Sequence, residues 1–115
     1  MPNKSILTWD DFAKIDMRIG TIVEAHDFQE AKKPAYKLII DFGNEIGIRK
    51  SSAQITTNYS KQELVGKQIA AVINFPPKQI GPIKSECLVL GSYQPNGSVI
   101  LLSSDQPVIS GLKVG

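Results

Sequence analysis

The chain holds one cysteine and one histidine in 115 residues. A lone Cys87 excludes an internal disulfide and fits a reducing, cytoplasmic setting. It borders the apolar run Leu88 to Leu90, so it reads as a small buried hydrophobe. A lone His26 leaves no histidine cluster for a metal, and a Ser-His-Asp triad would have to be built on it. Its context, Glu24-Ala25-His26-Asp27, is that of an exposed strand end. No P-loop, no Gly-x-Ser-x-Gly elbow and no Cys-x-x-Cys pair occurs. The acidic pair Asp10-Asp11 is explained by the preference for acids in a first helical turn. Gly43 and Gly47 read as hairpin glycines and not as a phosphate cradle. Neither an enzyme nor a metal or cofactor site is expected. No apolar run approaches the ~18 residues that span a bilayer. The first eleven residues, with one lysine and no apolar centre, do not read as a secretory leader.

What is present suits one domain over residues 1–115, with 42% apolar and 21% charged residues. The net charge is +2 and the isoelectric point about 8.7, too mild to imply nucleic-acid binding by itself. The cations are grouped, however: Lys32-Lys33, Arg49-Lys50, then Lys78 and Lys84. If the fold brings these together, local charge exceeds the net value.

Thr8 to Asp11 has the form of a capping box, and Trp9, Phe12 and Ala13 share a face, so a short helix is expected to dock on the core. Residues 15–28 read as a long strand, with Gly20 as a bend or bulge. Residues 36–42 and 46–50 read as a hairpin about Gly43-Asn44. Ser60 to Glu63 is a second capping box, opening a one-turn helix that stops at Gly66. Residues 68–74, 86–93 and 98–102 complete the strands, the last two joined by a turn at Pro95-Asn96-Gly97. The tail from Ser103 has no period. Its Val108, Ile109, Leu112 and Val114 are expected to pack on the domain or on a second subunit. Short strands with helices only at connections indicate a small all-β barrel. The order of elements fits a five-stranded OB-fold with short helices and terminal extensions, with an SH3-like barrel as the other possibility.

The run from Asn74 to Gly91 is the most distinctive. Pro76 and Pro77 cannot donate to a sheet ladder, so the run reads as a stiff, non-strand connection carrying Lys78 and Lys84. A rigid basic loop on a β scaffold is a binding surface more readily than a reaction centre.

Asp16-Met17-Arg18-Ile19-Gly20-Thr21-Ile22 resembles the opening strand of the tRNA-binding domain found in stand-alone proteins and in some aminoacyl-tRNA synthetases. Lys37 to Gly43 resembles its second strand, and Tyr59 with Glu63-Leu64-Val65-Gly66-Lys67 its Y-x-x-x-E-L-x-G-K segment. Asn74 to Ser85 resembles its proline loop. That family usually continues with Gly-Met, where this chain has Glu86-Cys87. The stretches SSAQIT, NFPPKQIGP and SE-x-LVLG look most like the CsaA-like chaperones of the family.

The resemblance implies an OB-fold core, a homodimer built from the terminal extensions, and an export-related chaperone that binds unfolded or precursor polypeptides. Phe75, Pro76, Pro77, Ile80 and Ile83 are then the candidate peptide-binding residues, an apolar groove held open by prolines. The other function it implies is tRNA binding on the basic face of the barrel. Arg49, Lys50, Lys78 and Lys84 would contact phosphate there, and Ser52, Gln54, Asn74 and Ser85 sugar or bases. An assembly subunit with neither activity ranks last, because it leaves the basic proline loop unexplained.

Overall fold

The structure, a computed structural model, describes residues 6–115. Residues 1–5, where the expected lack of a leader begins, lie outside the described residues. The elements in order are α1 (Trp9–Ala13), β1 (Met17–Asp27), β2 (Tyr36–Asp41), α2 (Gly43–Ile46), β3 (Ile48–Ala53), α3 (Lys61–Leu64) and β4 (Gln68–Val72). They continue as β5 (Lys78–Ile80), β6 (Ile83–Ser85), β7 (Leu88–Val89), β8 (Gly91–Tyr93), β9 (Val99–Leu101) and β10 (Lys113–Val114).

Five strands in the order β3-β2-β1-β4-β7, antiparallel throughout, curl into a nearly closed barrel of OB-like form, as expected from the sequence. Ile22, Leu38, Ile40, Phe42 and Ile69 fill its interior. Leu64, the one buried residue of α3, joins them. Full burial of such a side chain stabilises by about 1.5–3 kcal/mol. The chain leaving α3 is sewn to β1 by Gly66 N–H to Ile22 O and Ile22 N–H to Lys67 O. Among the described residues no helix is long and apolar enough to cross a membrane.

The long strand carries its irregularity at Val23 and not at Gly20. The β1–β2 register shifts between Ile22 and Glu24, so the extra residue changes the phase of the alternation. Ile22 therefore faces the interior and Val23 is exposed. Gly20 has a different purpose: a Cβ there would lie 2.6 Å from both the Phe42 ring and Ile40. Only glycine lets those two side chains cross the middle of the strand.

Four further expectations are corrected. Both capping boxes form, but α1 does not dock on the core. It has no buried residue, and Trp9 is 90% exposed. Its five residues are anchored through the following link, with Ile73 N–H bonded to Asp16 O, so its apolar face is left uncovered. The Gly43-Asn44 turn is a full helical turn, α2, closed by Gly43 N–H on Asp41 Oδ1 and Gly47 N–H on Gly43 O, and β3 starts only at Ile48. The strand expected over 86–93 breaks at Leu90, where the chain passes from the barrel into the β8–β9 hairpin.

The fourth correction is the proline connection. Only residues 74–77 are irregular. Lys78–Ile80 and Ile83–Ser85 pair as a hairpin about Gly81-Pro82, because the two prolines lie ahead of the ladder and not in it. Gly81, at φ +53°, turns the chain.

The tail does pack on the domain. β10 pairs with the first residues of β1, and the Gln68 side chain receives Val108 N–H at 3.0 Å and donates to Val108 O at 2.7 Å. Ile109 and Leu112 remain exposed.

Candidate binding groove

An open groove of ≈1070 Å³ runs between the end of β3, the β5–β6 hairpin, β7 and the β8–β9 hairpin, with the loop of residues 30–35 as its far bank. The hairpin tip reaches that bank: a Cβ on Gly81 would sit 3.5 Å from Glu30 O and 3.6 Å from the Phe28 ring. The groove floor includes Ile55, Val89, Val99 and Leu101, all apolar. Phe75, 56% exposed, and Tyr93, 81% exposed, also line it. Lys32, Lys33 and Lys78 supply its cations, and Glu30 is its one acid.

The expected sites are only partly united here. Of the RNA candidates, Ser52, Gln54, Lys78 and Ser85 line the groove. Of the peptide candidates, Phe75, Pro76 and Ile80 do, and Pro77 and Ile83 do not. Part of each candidate set thus lies on one surface. Lys32, Lys33, Leu88, Val89 and Tyr93 belong to the groove and were not among the candidates. The Lys32-Lys33 pair was visible as charge, and an aromatic beside the Pro95-Asn96-Gly97 turn was the available signal for Tyr93.

Arg49, Lys50, Asn74 and Lys84 stand outside the groove. Asn74 is a clamp: its Oδ1 accepts Asp16 N–H at 3.0 Å, and its Nδ2 donates to Lys14 O at 2.6 Å. The amide thereby fixes the link between α1 and β1. Arg49 donates from Nη1 to Ile73 O at 3.1 Å and Glu86 O at 3.4 Å, holding β3 against the chain that follows β4 and β6.

That contact belongs to a seam where β3 meets residues 85–87. Here one backbone bond, Glu86 N–H to Lys50 O at 2.8 Å, is supplemented by side chains. Lys50 N–H donates to the Glu86 carboxylate at 2.9 Å, and Ser52 N–H to Ser85 Oγ at 3.3 Å. Ser51, the one buried polar residue among the described residues, donates from Oγ to Cys87 O at 3.3 Å. Side chains therefore satisfy main-chain groups that a paired strand would otherwise take.

Cys87 is buried at this seam. Burial pushes its thiol up to about 11, against weaker opposing effects from Ser51 and the Arg49 charge. A thiol so raised is almost wholly protonated near neutrality and is a poor nucleophile. Among the described residues no group of three or more His, Cys, Asp or Glu could hold a metal. His26 is exposed and lies 2.8 Å from Glu24.

Residues 17–113 match the family model described as "Putative tRNA binding domain". The chain belongs to that family. Within the tRNA-binding-domain family it is similar to two solved chaperone CsaA structures. One, from Picrophilus torridus, is 54% identical with a TM-score of 0.89. The other, from Bacillus anthracis, is 46% identical with a TM-score of 0.91. Each comparison covers 96% of this chain and 100% of the other. A methionine–tRNA ligase of Flavobacterium psychrophilum is 32% identical over 104 residues, 90% of this chain. The chain spans only 15% of that ligase's length.

Proposed function

We propose that the groove holds extended segments of unfolded or precursor polypeptides, and that the protein is a cytoplasmic, export-related chaperone acting as a homodimer. The observation that carries this reading is the concentration of exposed Phe75, Leu88 and Tyr93 in one open groove with a partly polar rim. Apolar groups that could have been buried are instead held ready for a ligand. The preformed hairpin and Pro76 limit the ordering entropy of binding. The kinship with the two CsaA chaperones supports the same reading.

The dimer is supported by the terminal segments. Ile6, Leu7 and Trp9 precede β1, Ile109 and Leu112 precede β10, and all five are exposed. Both segments attach to the start of β1, through Asp16 and through the Met17–Val114 pairing. A second copy covering them would remove this apolar surface from water.

The test is suppression of aggregation of a denatured client at stoichiometric amounts. Phe75→Ser with Tyr93→Ser should abolish suppression while leaving the urea midpoint near the native value. Full retained activity would sink the proposal. Sedimentation at micromolar concentration tests the dimer, and a monomer there refutes it.

A second reading, tRNA binding in the same groove, is favoured by Lys32, Lys33 and Lys78 lining it together with Phe75 and Tyr93. If it holds, affinity for tRNA falls steeply between ~50 and ~200 mM salt. A flat salt response rules it out.

A further inference from the structure

The basic residues that stand outside the groove are not an independent cationic site, because Glu86 sits among them. Its main-chain N–H is bonded to Lys50 O at 2.8 Å, and its carboxylate receives Lys50 N–H at 2.9 Å. The carboxylate is thus tied to the edge of β3 by a charge-assisted bond and cannot swing away freely. Ser85 and Cys87 line the groove, and Lys84 and Glu86 do not. Lys84 precedes it by two residues in sequence, and Arg49 Nη1 is held by its carbonyl oxygen. Yet Glu86 forms no salt bridge among the described residues; the four that exist are Lys14–Asp11, Arg18–Asp16, His26–Glu24 and Lys61–Asp27.

We propose that Glu86 is a specificity-determining residue that discriminates against phosphate backbones: a fixed negative charge held on the β3 edge at Lys50, two residues from Lys84 in sequence, offsets the attraction of these lysines for nucleic acid. The inference rests on the reading of the groove as a polypeptide site, and it supplies the discrimination that reading needs. A like charge set into a surface repels a polyanion as effectively as an added contact attracts a wanted ligand. The same hydrogen bond closes the β3 edge, so main-chain geometry holds the charge in place.

The decisive variant is Glu86→Gln, which keeps an oxygen for Lys50 N–H and removes only the charge. Binding of bulk tRNA is measured for the native chain and the variant at ~50 and ~150 mM salt. The variant is expected to bind about threefold tighter or more at the lower salt, with a steeper salt dependence, as loss of one unit charge near a polyanion requires. Lys50→Ala in the Glu86→Gln background should cancel the gain. Equal or weaker tRNA binding by a folded Glu86→Gln chain, including no measurable binding by either protein, overturns the proposal.

A second comparison leaves Glu86 in place. Lys78→Gln in the groove should weaken tRNA binding more than Lys84→Gln beside Glu86, because the latter charge is already offset. An equal or larger effect of Lys84→Gln also overturns the proposal. Both readouts are independent of client aggregation, so failure here is distinguishable from failure of the chaperone reading.

Discussion

Replacing Asn74 by alanine removes two hydrogen bonds at once, one to Asp16 N–H and one to Lys14 O. Three bonds hold the α1–β1 link at this point, and the survivor is Ile73 N–H to Asp16 O. Each lost bond is worth about 0.5–1.5 kcal/mol, and the exposed setting of Asn74 favours the lower half of that range. The attachment of residues 6–16 should therefore weaken by about 1–2 kcal/mol. The barrel core is untouched, so the loss is local opening and not global unfolding. Amide hydrogen exchange of Asp16 is the direct assay, because that N–H is bonded to the side chain being removed. Exchange should accelerate by roughly five- to thirtyfold. Asn74→Asp keeps an acceptor for Asp16 N–H and loses the donor to Lys14 O, so it should fall between the two. Unchanged exchange at Asp16, with tRNA binding impaired instead, would refute the clamp and return Asn74 to the role of an RNA contact.

Other outcomes follow from the same structure. Gly20→Ala should destabilise the fold by about 1–3 kcal/mol in urea unfolding, since its methyl group must displace Phe42 and Ile40. Cys87 should resist thiol reagents until the chain is unfolded. Its raised value means that stability is intact below the unfolded-state value, taken as 9.0, and is lost as pH climbs toward about 11. At about pH 10 the native chain should have lost roughly 1.4 kcal/mol more than Cys87→Ala, relative to neutral pH, and parallel curves would contradict the burial argument. Asp16 is held below its ordinary 3.8 chiefly by the Arg18 side chain, whose Nε lies 2.6 Å from its carboxylate. A depressed carboxyl stabilises above its unfolded value and loses that contribution as acid protonates it. Arg18→Gln should therefore be less stable at neutral pH, with the gap narrowing in unfolding curves below about pH 4.

The capping boxes at Thr8 and Ser60 were legible because both partners lie within four residues and need nothing else. The barrel was legible for a similar reason: strand lengths and turn residues leave few alternative ways to close a sheet of this size. The β5–β6 hairpin was obscured because adjacent prolines dominate a local reading, although they end one residue before the ladder begins. The phase of β1 was obscured by an inserted residue at Val23, which carries no compositional mark. Of the candidate site residues, Lys78, Ser52, Gln54, Ser85, Phe75, Pro76 and Ile80 share a groove. Tyr93 was not among the candidates because it comes from a separate hairpin, where an aromatic beside a turn marks exposure but not the space it faces.

By itself the sequence determined that this is a small β-barrel of the tRNA-binding-domain family, and it marked a basic, proline-containing segment as the candidate binding region. Periodicity, caps and turns are encoded over a few residues, and family motifs are strings. The tertiary structure alone decided what Asn74, Arg49 and Glu86 do. Each acts on partners 24 to 60 residues away along the chain, through hydrogen bonds whose direction no string of residues specifies. It decided equally which candidates share a groove, four of the RNA set and three of the peptide set, because that surface exists only when β3, the two hairpins and the loop at Lys32 have met.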